Sequence, residues 1–449
     1  MRRLYEPDAY RPDWPPSYWR ATAPPPPPSP PLEGAAKADA AIVGAGFAGL
    51  SAARELAAAG MDVVVLDAVQ PGWGASGRNG GFCCLGGSKL SDAAIVAKVG
   101  EDGARAYRRF QIEAIDHVGE FLDSHAIPAR QGPDGEAYLA QSPKAYDALL
   151  NEAEADAALY GDRPEILPKA ALAERGLAGP GFHGALLVRL GFPLHPMIYV
   201  DALARLAAAE GVRIFGGSPV TGLSPAPGGW RLTTPSGSVT AKRVLVATNG
   251  YSSEDLPSWL GGRLLPAISS ILVTRPLTEN ERQAQGFTSP LMSCDTRRLL
   301  HYFRHLPDGR FLFGMRGGTS ASPESDAATR TRVRAHFDAL FPAWAGAETE
   351  QAWGGFACLT SSLHPYAGPV PRAEGLFAAL GCHGTGVGPM SYAGAQVGRE
   401  MTGSDHRIPA LLRLPPARFP FPAFRRLGLW LAYQGYARKD GPLPAAPQA

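Results

Sequence analysis

Apolar positions along this chain recur with two periods. Ala40–Val43 is a short apolar run that ends at Gly44. Leu50, Ala53 and Leu56 then return at helical spacing, and Gly60 follows, as a residue past a helix end often does. Met61–Leu66 is a second, valine-rich run that ends in Asp67. The pattern predicts a strand, a tight turn, a helix and a second parallel strand. Helical periodicity also predicts helices over Asp92–His125, Ala145–Leu159, Ala327–Leu340 and Pro389–Met401, and one starting at Pro196 with His195 as its cap. Short apolar or alternating runs predict strands at Glu136–Ala140, Leu186–Val188, Val212–Phe215 and Pro219–Leu223. Trp230–Thr234 and Ser238–Thr240 read as a hairpin, and Arg243–Ala247 as a separate strand. Ile268–Arg275, Leu299–Arg304 and Arg310–Met315 read as an antiparallel sheet, followed by Trp353–Leu359, a bend at Leu363–Val370, and Leu376–Leu380.

The first unit carries chemistry. Gly44, Gly46 and Gly49 have the G-x-G-x-x-G spacing. The first glycine allows a sharp turn, the second lets a pyrophosphate approach the backbone, and the third lets the helix lie on the strand. The positive end of that helix favours phosphate charge. Asp67 lies 23 positions after Gly44, where an acid accepts from a ribose hydroxyl. The unit therefore predicts a bound dinucleotide, with FAD or NAD left open.

Two other stretches have the same character. Seven glycines fall between Gly72 and Gly87, directly after the acid, and Arg78 among them suits a phosphate or flavin. Leu376–Leu380 runs into Gly381-Cys382-His383-Gly384-Thr385-Gly386-Val387-Gly388, and a helix follows. This is a second strand–glycine–helix junction.

Composition narrows the classes. The 449 residues hold 43 Lys and Arg against 41 Asp and Glu, a net +2 that points to no nucleic-acid partner. Five cysteines in no metal spacing (Cys83, Cys84, Cys294, Cys358 and Cys382) fit a reducing, cytoplasmic setting, and no metal site is expected. No run of about 18 apolar residues is present, so no membrane span is expected. Pro24–Pro31 makes residues 1–36 an extended arm over the surface, with Trp14, Tyr18 and Trp19 as its anchors.

The Gly44–Asp67 unit, Gly74–Phe82 (GASGRNGGF), Ala247–Tyr251 (ATNGY) and Gly381–Met401 together resemble the D-amino-acid oxidase-type FAD-dependent oxidoreductases. The resemblance covers nearly the whole chain. It implies an α/β fold: a Rossmann-like FAD-binding domain, and a second substrate domain containing a mixed antiparallel sheet. The implied division is a proline-rich arm at 1–36, FAD-binding segments at 37–95, 160–255 and 355–410, cap helices at 96–159, a substrate domain at 256–354 and a tail at 411–449.

The resemblance also implies roles. Gly44, Gly46, Gly49 and Asp67 would hold the ADP half of FAD, with Val220 on the adenine. Ser76, Arg78, Asn79 and Gly80 would run beside the pyrophosphate and flavin. Thr248, Asn249 and Gly250 would lie near the cofactor's middle. Gly384, Thr385, Gly386, Val387, Gly388 and Met390 would meet the isoalloxazine. Ala75–Gly81 lacks the histidine that attaches FAD in some relatives, so non-covalent FAD is expected.

The implied chemistry is oxidation of the C–N bond of a small amine or amino acid, with oxygen or another acceptor taking the electrons. No lysine lies between Lys242 and Lys439, where some relatives use one to activate oxygen. A dehydrogenase passing electrons to a quinone or carrier therefore stands as an alternative, as does a non-enzymatic flavin-binding protein. His383 is the first choice for a catalytic side chain near the substrate, with Tyr251 and Tyr302 beside it. His301, Arg304 and Trp353 are weaker choices from the substrate sheet.

Overall fold

The computed structural model describes residues 2–161 and 163–444; residues 445–449 of the expected tail lie outside the described residues. Two eight-stranded sheets organise it. In the first, Tyr366–Pro369, Leu376–Leu380, Gly237–Val246, Gly34–Val43, Val63–Leu66 and Arg213–Phe215 lie side by side in that order. The hairpin Gly222–Ala226 with Gly229–Thr233 extends from Gly237–Val246. The four pairings at the heart of this sheet are parallel, and parallel strands need both faces covered. Helices Phe47–Ala58 and Val387–Thr402 supply cover, and they pack on each other unusually closely. An added Cβ at Gly394 or Gly398 would fall 2.1 or 2.8 Å from the carbonyl oxygens of Ala48 and Ala52. That approach brings the two glycine junctions together at one end of the sheet.

The second sheet has the order Thr349–Thr360, Leu264–Thr274, Phe311–Arg316, His301–His305, Met292–Asp295, Glu136–Leu139, Gly184–Val188 and Glu165–Pro168. It is antiparallel except where Met292–Asp295 joins Glu136–Leu139. Helix Pro323–Leu340 closes an aromatic core over it that includes Phe303, Phe311, Phe313, Phe337 and Trp344. The expected α/β fold with a mixed second sheet is therefore present.

Several expectations need correction. Ser238–Thr240 and Arg243–Ala247 belong to one strand, Gly237–Val246, whose first half pairs with the hairpin. The bend at Leu363–Val370 contains a real strand, Tyr366–Pro369, paired with Leu376–Leu380. The strand expected at Pro219–Leu223 begins only at Gly222. Segment 160–255 does not lie wholly with the first sheet, because Glu165–Pro168 and Gly184–Val188 join the second. The cap segment 96–159 is also split. Asp92–Ser124 packs on Val387–Thr402, with Tyr392 Oη donating to Glu113 at 2.8 Å, whereas Pro143–Tyr160 packs on Gly184–Val188. Residues 355–360, expected with the cofactor, finish the second sheet's Thr349–Thr360. Strand periodicity reveals an element but not its partner, which is decided by contacts hundreds of residues away.

The arm is more than a surface strap. Trp19 is completely buried and its Nε1 donates to Asn79 O at 2.8 Å. Tyr5 Oη donates to Pro266 O at 2.8 Å, and the Arg2 N–H donates to Asp255 at 3.0 Å.

Candidate active site

A cavity of about 970 Å³ runs between the two sheets, and most of the expected cofactor residues line it. Gly44, with φ +106°, turns the first strand into its helix, and its Cβ position is closed off by Ala247 O at 2.9 Å. Gly46 caps the helix and Phe47 N donates to Ser76 Oγ at 3.0 Å, so the glycine turn and the loop after Asp67 share one wall. Asp67 accepts from Ala45 N at 2.8 Å and from Val69 N at 2.9 Å. Burial pushes its carboxyl above the usual range, and the two N–H groups oppose that.

Arg78 is held by Trp73 O at 2.8 Å and stacks over the Trp73 ring at 4.4 Å. Asn79 donates to Ala75 O and Ser76 O and accepts from Gly81 N, which fixes the loop. Val220, Gly80, Thr248, Gly384, Thr385, Gly386, Val387 and Met390 line the same space. Asn249 lines it too, and ties the ends of two adjacent strands of the first sheet: its Oδ1 accepts from Gly381 N at 2.9 Å. The cradle fits a flavin dinucleotide. Backbone without side chains faces the cavity at both helix starts, and an acid stands at the second strand's end.

Three expected glycines serve packing behind that wall. A Cβ at Gly49 would lie 1.9 Å from Gly44 O, one at Gly250 2.8 Å from Phe356 Cβ, and one at Gly388 3.2 Å from Ala114 O. None of the three lines the cavity.

His383 is the main correction. Its ring is completely buried and turned away from the cavity. Nε2 lies 3.1 Å from Thr360 Oγ1 and 3.3 Å from Thr360 N. Burial, with help from the Lys89 charge, pushes this histidine down to about 3. Neutral at that value, it sits in a turn in which its own φ is +50°. Tightly turned backbone can face a ligand while the side chain points behind.

His301, Arg304 and Trp353 also sit behind the wall. His301 bridges Asp295 and His336 at 2.5 and 2.8 Å. Arg304 donates to Gly80 O and Leu194 O, and Trp353 Nε1 donates to Arg78 O at 2.9 Å. Tyr251 and Tyr302 do line the cavity. Tyr302 Oη meets Ser269 Oγ at 2.9 Å, and Tyr251 stands edge-on to Trp73.

The polar end of the cavity was missed from sequence. Lys89, Arg316, Glu136, Tyr138 and Asp156 face it. Lys89 is exposed by surface area yet closely surrounded by protein at its ammonium, and desolvation there, with the Arg316 charge, lowers it to about 8. Arg316 donates to His383 O at 3.1 Å and has no carboxylate partner among the described residues. Glu136 accepts from Tyr138 Oη at 2.9 Å, and burial raises its carboxyl. Asp156 is raised to about 6 by burial and by Glu152. The lysine that lines the cavity lies well before Lys242. The usable signals were Lys89 closing the glycine-rich loop and Arg316 opening Gly317-Gly318. Arg3, Tyr10 and Pro12 of the arm line the cavity as well. Among the described residues no group of three or more His, Cys, Asp or Glu could hold a metal ion.

The family model for FAD dependent oxidoreductases (DAO) matches residues 39–399. The chain belongs to that family. This DAO-family protein is an FAD-dependent oxidoreductase. It is 31% identical over 432 residues to a probable oxidoreductase OrdL of Rhizobium meliloti (strain 1021), covering 94% of this chain and 97% of that protein. It is 31% identical over 427 residues to the gamma-glutamylputrescine oxidoreductase of Escherichia coli (strain K12), covering 94% and 96%. Among solved structures, the glycine oxidase of Geobacillus kaustophilus superposes with a TM-score of 0.69 at 20% identity, covering 85% of this chain and 99% of that one. At that identity the likeness is one of fold.

Proposed function

We propose that this enzyme oxidises the C–N bond of a small amine or amino acid, and that FAD is held without a covalent bond. One observation carries the reading: the dinucleotide cradle and a polar, titratable end on the second sheet belong to a single cavity. The named relatives that act on a glutamylated diamine and on glycine support the class. Bound flavin supplies the two-electron acceptor for hydride leaving the carbon beside nitrogen; the resulting imine hydrolyses in water.

The chain's residues have three tasks. Asp67, Ser76, Asn79 and the backbone of the two glycine junctions fix the cofactor. Tyr251 and Tyr302 wall the space beside the loop Gly74–Gly80. The substrate nitrogen must be neutral before the carbon beside it gives up hydride, and Lys89, lowered to about 8, is a base of suitable strength to take the nitrogen's proton. Arg316, a cation without a carboxylate partner, suits an anionic group of the substrate. Five free, buried cysteines fit a cytoplasmic setting.

Anaerobic mixing with a panel of amines and amino acids tests the reading. Bleaching of the flavin by members of that panel, and by no alcohol or hydroxy acid, is expected. Bleaching by hydroxy acids alone would overturn it. Acid precipitation should leave the yellow colour in the supernatant; colour in the pellet would refute non-covalent binding. Reoxidation by air against a quinone separates the two electron acceptors.

A further inference from the structure

Large apolar side chains are well covered over nearly all of this molecule, and the exceptions are concentrated. Phe421, Phe424, Leu427, Trp430 and Leu431 are 79, 64, 53, 47 and 57% exposed, and apart from Leu363 they are the only large hydrophobics so exposed among the described residues. They cluster at the start of the C-terminal helix Arg425–Asp440. That helix packs through Arg425, Leu429 and Tyr433, against Leu265 and Ala267 of the second sheet. Leu427, Trp430 and Leu431 share the opposite face by helical spacing, and Arg438 continues the same stripe.

Charge accompanies this patch. Between Asp405 and Asp440 there is no acidic residue, but there are seven basic ones. Arg407, Arg413, Arg425 and Arg426 pair with Glu113, Glu400, Glu254 and Glu6. Arg418, Arg438 and Lys439 are exposed and have no carboxylate partner among the described residues.

We propose that this face rests on an anionic lipid bilayer, with the C-terminal helix lying flat in the headgroup region. Trp, Phe and Leu on one face with free Arg and Lys around them is the composition of an interfacial helix, and the excess positive charge complements anionic headgroups. No helix among the described residues is long and apolar enough to cross the membrane, so contact is peripheral. A second copy is a poorer occupant. A two-fold contact sets the same patch against itself, and would bring Arg418, Arg438 and Lys439 of both copies together with no acid in the patch to offset them.

The test uses the full-length, FAD-loaded protein and sedimentation with vesicles. It should sediment with phosphatidylcholine vesicles containing about one-third phosphatidylglycerol, and about tenfold less with pure phosphatidylcholine or in high salt. Leu427→Glu with Leu431→Glu should abolish sedimentation, and Arg438→Gln with Lys439→Gln should weaken it. All four side chains are exposed, so flavin content and melting temperature should stay at wild-type values. Absence of binding to anionic vesicles at low salt overturns the proposal, as does wild-type binding by the double-glutamate variant. A dimer in light scattering that the double-glutamate variant splits assigns the face to a second copy instead.

Discussion

The two strand–glycine–helix junctions look alike in sequence and differ in what their glycines meet. At the first, two of the three meet backbone: a Cβ at Gly44 would meet Ala247 O at 2.9 Å and one at Gly49 would meet Gly44 O at 1.9 Å, whereas one at Gly46 would meet Ser76 Oγ at 2.8 Å. At the second, they are largely side chains: Gly381 faces Thr360 Cγ2 at 2.7 Å, Gly384 faces Arg316 Nη2 at 2.4 Å, and Gly386 faces Cys382 Cβ at 3.2 Å. Backbone cannot move aside and side-chain ends can. A glycine pattern thus marks a close approach in both cases, but the first junction is the less tolerant, at Gly44 and Gly49. The chemistry differs as well. The first junction brings its own acid, Asp67, to the cavity, whereas the second hides its histidine and presents backbone beside Lys89 and Arg316.

The contrast can be broken at several points. Gly49→Val should have the largest effect, with loss of flavin-loaded soluble protein, because overpacking against backbone already costs about 1–3 kcal/mol for a few added atoms. Gly386→Ala, with its nearest neighbour 3.2 Å away, should retain flavin and a melting temperature within a few degrees. Equal behaviour of the two, measured by the visible-to-ultraviolet absorbance ratio and by melting, would erase the distinction between the junctions.

If the second junction borrows its chemistry from neighbours, Lys89→Met should slow flavin reduction by about 10²–10⁴-fold at full occupancy. A base must be neutral to act, so the wild-type rate should rise with pH through about 8, and the variant should lose that limb. Rapid-mixing reduction across pH reads both quantities. A wild-type profile in the variant removes Lys89 from the chemistry.

Asp67→Ala should weaken FAD binding by roughly ten- to a hundredfold, the cost of about 1.5–3 kcal/mol for a lost bond to a charged acceptor. Reduction of the fully loaded variant should proceed at the wild-type rate. Titration of apoprotein with FAD measures the first, and an unchanged dissociation constant would place the acid away from the ribose.

His383→Ala should have the smallest effect on the reaction and none on the loaded rate. It should instead lower stability by about 1–3 kcal/mol through the lost contact with Thr360. A pH signature accompanies this. Folding lowers His383 from 6.5 to about 3. Between those values the folded state binds fewer protons than the unfolded one, so stability is complete above about 6.5 and falls as pH drops through the window. Removing the ring should flatten that fall by up to about 1.4 kcal/mol per pH unit. His195, also lowered to about 3, acts with the same sign and stays in place. Urea melts at several pH values read the slope.

The first junction was legible in sequence because its requirements sit within one βαβ unit: turn, helix start, return strand and terminal acid. The fold class was legible for the same reason. Sheet membership was not. Glu165–Pro168 carries no local mark that sends it to the second sheet, since its partner Gly184–Val188 pairs in turn with Glu136–Leu139. The polar end of the cavity was hidden because Lys89, Glu136, Asp156 and Arg316 come from four separate elements and share no spacing. His383 misled because it sits within the glycine loop, and only the backbone turn at +50° shows that its ring points behind the wall.

The arm has a consequence for synthesis. Its contacts reach Asp255, Pro266 and, through Glu6, Arg426. A ribosome adding about 5–20 residues per second needs roughly 20–80 s to make those partners available after the arm has emerged. Through that interval the arm waits undocked, with Tyr18 and Trp19 not yet in their final places. The cavity wall to which Arg3 and Tyr10 belong is thus completed by a segment made well before the residues that hold it in place.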